Sequence, residues 1–270
     1  MSRLSDFIKI QLVRLEIVRR PTDVYVISYP KSGRTWLRVL IGKAICLQYG
    51  LPDDLMLDTH RLTTTAGLLR THFVHDYAEI LMGIHYRRLP ASKREYARKK
   101  VVFIVRDIKD TLVSSYFQAT RRTNAFRGSI SDFVRDETFG VRKIVTFYNI
   151  WHRNRNVPRD FLLLRYEDIH RDATGALTRA LAFIGAEPVE EAIARQAVAF
   201  AGFSNMKKME TGGTFSDPRM RPADARDAES YKVRRGVVGG YREYLSEDDI
   251  CYIDRVIAQT GCPFIQMSAS

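Results

Sequence analysis

Three runs of consecutive apolar residues set the main constraint on how this chain can fold. Residues 24–28 read Val-Tyr-Val-Ile-Ser, residues 101–105 read Val-Val-Phe-Ile-Val, and residues 161–164 read Phe-Leu-Leu-Leu. None alternates apolar with polar positions, so each reads as a strand covered on both faces. Each is followed by a segment of helical spacing: Thr35 to Tyr49, stopped by Gly50, then Asp110 to Ala119, then about Thr174 to Ile184. Such strands alternating with helices predict an α/β fold, one domain with a central parallel sheet flanked by helices. Residues 67–72 are read as a further strand, and residues 130–156 and 188–208 as helical. Residues 209–240, rich in Gly, Asp, Arg and Pro, are read as a long functional loop. No repeat, low-complexity tract or linker divides the 270 residues.

Charge narrows the choice of partner. Lys and Arg number 43 against 31 Asp and Glu, a net charge of +12. That excess calls for an anionic partner: nucleic acid, an acidic surface, or a small molecule bearing phosphate or sulfate. No stretch approaches the roughly 20 apolar residues of a membrane span. Residues 1–20 are charged throughout, which argues against a signal peptide. They read as an amphipathic basic helix with Leu4, Ile8, Leu12, Leu15 and Val18 on one face. Packing of that face on the domain is preferred, with peripheral membrane contact as the alternative. Cys46, Cys251 and Cys262 are too scattered for a disulfide framework or a zinc site, so a cytoplasmic protein is expected.

In open α/β sheets, ligands lie beyond the carboxyl ends of the strands. The first strand is followed by Ser28-Tyr29-Pro30-Lys31-Ser32-Gly33-Arg34-Thr35-Trp36. Small and hydroxylated residues let backbone N–H groups converge on an anion, the helix start adds its dipole, and Lys31 adds a point charge. The order differs from a Walker loop, because the lysine precedes Gly33. After the second strand, Arg106 can clamp a phosphate and Ser114, eight residues on, can add a hydroxyl. Asp107 admits a second reading, the magnesium ligand of an ATP-dependent kinase; the adjacent Arg106 and the missing Walker lysine argue against it. A non-catalytic module for nucleic acid or polyanionic glycan would show a basic stripe interleaved with aromatics. The basic residues here are dispersed, so no nucleic-acid partner is expected. Near the 67–72 run stands His72, whose ordinary pKa of about 6.5 suits a general base at neutral pH. His60, His75 and His85 compete with it nearby.

The string Tyr29 to Trp36 closely resembles the 5′-phosphosulfate loop, usually Y-P-K-S-G-T-T-W, of the sulfotransferases that use 3′-phosphoadenosine 5′-phosphosulfate (PAPS). Arg34 departs from that pattern at the first threonine. Arg106 and Ser114 keep the spacing of the family's 3′-phosphate motif. Arg70-Thr71-His72 resembles the Lys-Thr-His whose histidine deprotonates the acceptor, which selects His72 as base with His75 second. Tyr166, in Tyr-Glu-Asp, and Phe203 and Met206, in a segment similar to S-F-x-x-M-K, are implied neighbours of the adenine, with Trp36 stacking. Residues 232–241 resemble R-K-G-x-x-G-D-W, which implies that Arg234, Arg235 and the Gly236 N–H grip the 3′-phosphate. The resemblance implies a P-loop-like fold and transfer of a sulfuryl group from PAPS to a hydroxyl or amine, releasing adenosine 3′,5′-bisphosphate (PAP). It implies His72, Lys31 and Ser114 as catalytic, with Lys31, Ser32, Gly33, Arg34, Thr35, Trp36, Arg106 and Ser114 on the donor. PAPS is the implied co-substrate, with no metal. The acceptor, whether small molecule, glycan or lipid, and the oligomeric state are left open.

Overall fold

The computed structural model describes residues 3–186, 188–212, 223–224 and 226–266. Four strands form one parallel sheet: β1 (Val24–Ser28), β2 (Thr71–Val74), β3 (Lys100–Val105) and β4 (Asp160–Arg165), in the order β2-β1-β3-β4. The register pairs Val24 with both Thr71 and Lys100, and Lys100 with Asp160. All four strands therefore start level and deliver their carboxyl ends to one edge.

The helices follow in chain order as α1 (Arg3–Arg19), α2 (Arg34–Tyr49), α3 (Thr59–Thr65), α4 (Ile108–Phe117), α5 (Ile130–Arg135), α6 (Val141–Arg153), α7 (Tyr166–Arg171), α8 (Ala173–Phe183), α9 (Glu191–Phe200), α10 (Phe203–Thr211), α11 (Glu247–Thr260) and α12 (Pro263–Gln266). Because strand side chains alternate between faces, Val24, Val26, Val102 and Ile104 enter one core with α2, α8 and α9. Tyr25, Ile27, Val101 and Phe103 enter the other with α4, α6 and α11. This two-sided burial explains the unbroken apolar runs.

Several boundaries differ from the sequence reading. The helical stretch 130–156 is two helices, because Gly140 passes so close to backbone that a Cβ there would lie 2.3 Å from the Val134 carbonyl oxygen. The stretch 188–208 likewise breaks around Gly202. The strand expected at 67–72 begins only at Thr71 and runs to Val74. Gly67 turns the chain with a φ of 70°, and the Leu69 N–H donates to the Ile184 carbonyl instead of to the sheet. Of the expected loop 209–240, Met209 to Thr211 belong to α10, and residues 213–222 and 225 lie outside the described residues.

Helix α1 is turned over relative to expectation. Ile10, Val13 and Ile17 face the body of the protein, whereas Ile8, Leu12, Leu15 and Val18 are exposed; the side chain of Leu4 lies outside the described ones. Polar anchors fix this orientation. Buried Asp6 pairs with Arg88 at 2.8 Å, Lys9 Nζ donates to the Met82 carbonyl at 2.6 Å, and the Tyr25 hydroxyl donates to the Ile17 carbonyl at 3.1 Å.

Candidate active site

Beyond the carboxyl edge, β1 turns into α2 through a tight loop. Lys31 and Gly33 hold φ at 69° and 89°. Glycine is required at 33, because a Cβ there would lie 2.4 Å from Tyr166 Cδ2. Helix α2 opens with no side-chain cap, so its first N–H groups and the positive end of its dipole are left to the adjoining cavity. Ser32 is buried within the loop, and Gly33, Arg34, Thr35 and Trp36 line the cavity.

Lys31 Nζ donates to the Lys232 carbonyl at 3.2 Å. Burial, then the positive charges of Lys232 and Arg122, push its ammonium down to about 7. Arg106 leaves the end of β3 and ties two loops together. It donates through Nη1 to the Lys31 carbonyl at 3.0 Å and through Nη2 to the Val237 carbonyl at 3.3 Å, and its guanidinium lies 4.3 Å over the Tyr166 ring. Ser114, in α4 and 8% exposed, lines the same cavity.

Residues 232–241 close the opposite wall, and two carboxylates that sequence reasoning passed over hold them there. Buried Asp110 accepts from the Gly239 N–H at 2.7 Å and the Tyr241 N–H at 3.0 Å. Buried Glu210 accepts from the Lys232 N–H at 2.6 Å and the Val233 N–H at 2.9 Å. The only local signal for Asp110 was its place in the first turn of α4, where an acidic residue reads as helix-dipole complementarity. Arg234 is paired with Glu229 at 2.9 Å and stacked 4.7 Å over Phe117, and Arg235 is paired with Glu243. Gly236, at φ 65°, passes under Phe203; a Cβ would lie 2.6 Å from that ring.

The aromatic side of the cavity assembles residues from distant segments. Trp36 Nε1 donates to the Ala201 carbonyl at 3.0 Å, and its ring meets Tyr166 edge-on at 5.8 Å. Phe203, 40% exposed, and buried Met206 complete this wall. The cavity measures about 860 Å³. The residues present fit a nucleotide bearing phosphates at both ends. Arg106 and Arg234 each bury an Nε with no hydrogen-bond partner, the α2 start offers N–H groups, and aromatic rings line the same cavity. Among the described residues, no group of three or more His, Cys, Asp or Glu is placed to hold a metal.

The two leading histidines separate sharply. His72 lies inside β2 opposite Tyr25, with the Arg20 guanidinium against both ring nitrogens, and it does not line the cavity. Burial and then Arg20 push its imidazole down to about 3. His75 leaves the strand end and lines the cavity. Its Nδ1 lies 2.9 Å from the Ser28 carbonyl, so Nδ1–H donates and Nε2 is the unprotonated nitrogen. Burial, followed by the positive charge of Arg34, holds it well below the ordinary histidine range. His60 and His85 do not line the cavity and contact the Pro21 carbonyl and Glu137 respectively.

The turn after His75 is itself braced. Asp76 and Tyr77 adopt positive φ, 46° and 71°. Buried Asp76 accepts from Tyr96 Oη and Trp151 Nε1, both at 2.8 Å, and pairs with buried Lys93 at 2.7 Å. One turn on, Glu79 lines the cavity with a buried Oε2 that has no hydrogen-bond partner, and burial raises its carboxyl. Ile80, Leu81 and Met82 continue the wall as an apolar rim.

The chain is similar to known proteins over most of its length. The sulfotransferase domain family matches residues 21–261. Flavonol 3-sulfotransferase of Flaveria bidentis is 26% identical over 268 residues, covering 88% of this chain and 81% of that protein. Cytosolic sulfotransferase 17 of Arabidopsis thaliana is 26% identical over 263 residues, covering 89% and 74%. Among solved structures, a mouse sulfotransferase complexed with PAP superposes with a TM-score of 0.61 at 21% identity, covering 91% of this chain and 87% of that one. Retinol dehydratase in a complex with retinol and PAP gives 0.63 at 18%, covering 93% and 85%. No helix among the described residues is long and apolar enough to cross a membrane. With a family match over residues 21–261, most of its length, this chain belongs to the sulfotransferase family of transferases.

Proposed function

We propose that the protein transfers a sulfuryl group from PAPS to a hydroxyl on a small, largely apolar acceptor, and that His75, not His72, is the base. The observation that carries this reading is the convergence in one cavity of His75, Lys31 and the uncapped start of α2. The Nε2 of His75 takes the acceptor proton as the acceptor oxygen forms its bond to sulfur and the bridging sulfur–oxygen bond breaks. Lys31 and the loop N–H groups stabilise the charge that builds on the leaving phosphate. Arg106, Ser114, Arg234, Arg235 and the Gly236 N–H hold the 3′-phosphate, with Trp36, Tyr166, Phe203 and Met206 around the adenine. Gripping that phosphate exchanges the pairs that Arg234 and Arg235 make with Glu229 and Glu243 for pairs with the ligand. Ile80, Leu81 and Met82 beside His75 favour an apolar scaffold, in keeping with a relative named for flavonols. The reaction needs no metal, since fixed cations supply the charge. A cytoplasmic setting suits three unpaired cysteines, two of them buried.

Labelled PAPS with a panel of phenols and alcohols tests the assignment. Removing a general base typically costs about 10²–10⁴-fold in rate. His75→Ala should lose that much turnover while still binding PAP, whereas His72→Ala should stay near wild type. The reverse ranking would return the base to His72.

A further inference from the structure

Helix α1 presents an apolar face to solvent. Five of the nine exposed large apolar side chains among the described residues lie on it: Phe7, Ile8, Leu12, Leu15 and Val18, between 44% and 62% exposed. Ile8, Leu12 and Leu15 follow the i, i+4, i+7 spacing of a single stripe. The helix cannot hide this stripe by rotating, because Asp6, Lys9 and Ile17 anchor its other side to Arg88, Met82 and Tyr25.

The surroundings of the stripe are basic. Arg14 and Arg19 flank it on the helix, Arg19 exposed. The turn Arg94–Tyr96 packs against α1 and brings exposed Arg94, with exposed Arg98 close behind. On the anchored side, the Asp6–Arg88 pair sets exposed Arg87 next to the helix as well. Of the carboxylates on or near the helix, Asp6 pairs with Arg88 on the anchored side, exposed Glu16 lies 3.5 Å from Arg20, and Glu95 accepts from the Tyr77 hydroxyl at 2.9 Å. An exposed apolar stripe on a helix that also carries Arg14 and exposed Arg19, with Arg94 in the turn packed against it, is complementary to a surface that is apolar within and negative at its edge.

We propose that this face of α1 docks on an anionic lipid bilayer, with Ile8, Leu12, Leu15 and Val18 entering the acyl boundary and the arginine rim meeting the headgroups. On its anchored side, Lys9 ties the helix to the segment 80–82, whose highly exposed Leu81 stands at the rim of the cavity. A second copy of the chain suits this face less well, since pairing it about a twofold axis sets like-charged rims together.

Co-sedimentation of the full-length protein with phosphatidylcholine vesicles, with and without phosphatidylglycerol, tests the proposal. The protein should bind the anionic vesicles, bind the neutral ones weakly, and be released by high salt. Leu12→Asp with Leu15→Asp should lower the bound fraction by about tenfold or more. Its melting temperature and PAP affinity should not change, because both side chains face solvent. Arg94→Glu with Arg98→Glu, which leaves the stripe intact, should weaken binding to anionic vesicles alone. Failure of the wild type to bind anionic vesicles, or equal binding to neutral ones, would overturn the proposal. So would a dimer in light scattering that the Leu12→Asp, Leu15→Asp variant makes monomeric, since a second copy then covers the face.

Discussion

Replacing Asp110 with asparagine tests the latch on the loop that carries Arg234, Arg235 and Gly236; the same carboxylate lies 3.8 Å from Arg106 Nη2. The carboxylate is 3% exposed and accepts two backbone N–H groups, from Gly239 at 2.7 Å and Tyr241 at 3.0 Å. Asparagine keeps the shape but turns one acceptor oxygen into a donor facing another donor. A hydrogen bond to a charged group contributes about 1.5–3 kcal/mol, and each 1.36 kcal/mol is about tenfold in affinity. If the ordered loop grips the 3′-phosphate, Asp110→Asn should weaken PAP binding by about 10- to 150-fold. Titration calorimetry against PAP and against adenosine 5′-phosphate, which lacks the 3′ group, separates the latch from general damage. The loss should be large for PAP and small for the monophosphate. Equal losses for both, or none for either, would refute the latch.

Lys31 makes a pH-dependent prediction. Its folded pKa of about 7 lies below the ordinary lysine value, so between the two the native chain binds fewer protons than the unfolded one. The destabilising burial of its charge is therefore present below pH 7 and relieved as pH rises toward the unfolded value. A polyanion restores the charge, so PAP binding near pH 8 should take up a proton, measured by calorimetry in buffers of different ionisation heat; Lys31→Met should abolish the uptake. Asp76→Ala leaves buried Lys93 unpaired and deprives Tyr96 and Trp151 of their acceptor. Urea unfolding should show a loss of about 3–5 kcal/mol, with turnover falling as the His75 turn relaxes.

Much of the architecture is legible from local sequence. A run such as Val-Val-Phe-Ile-Val needs no partner to be identified as doubly buried, and Gly50 stops α2 as its sequence predicts, with a φ of 61°. The tight loop between β1 and α2 is equally local, because Lys31, Gly33 and the helix that follows sit within a few residues of one another. Glycine signals misled only where tertiary contact decided them: Gly140 and Gly202 sit inside helical periodicity but mark breaks.

The choice between His72 and His75 is different in kind. Both sit in one short stretch, and which of them leaves the sheet depends on the register of β2 against β1, set by hydrogen bonds between segments almost fifty residues apart. The same holds for the direction of α1. Its sequence has apolar residues on two faces, and only the anchors at Arg88, Met82 and Tyr25 decide which is buried. Asp110 and Glu210 are likewise silent in sequence, since a carboxylate becomes a latch only when a distant loop brings its N–H groups within reach. What the sequence determined by itself was the alternation of buried strands and helices and the tight loop between β1 and α2, because hydrophobic periodicity and short-range loop chemistry act between near neighbours. The tertiary structure alone decided which histidine meets the cavity, which carboxylates hold its walls and which helix face meets solvent, because those outcomes depend on contacts between remote parts of the chain.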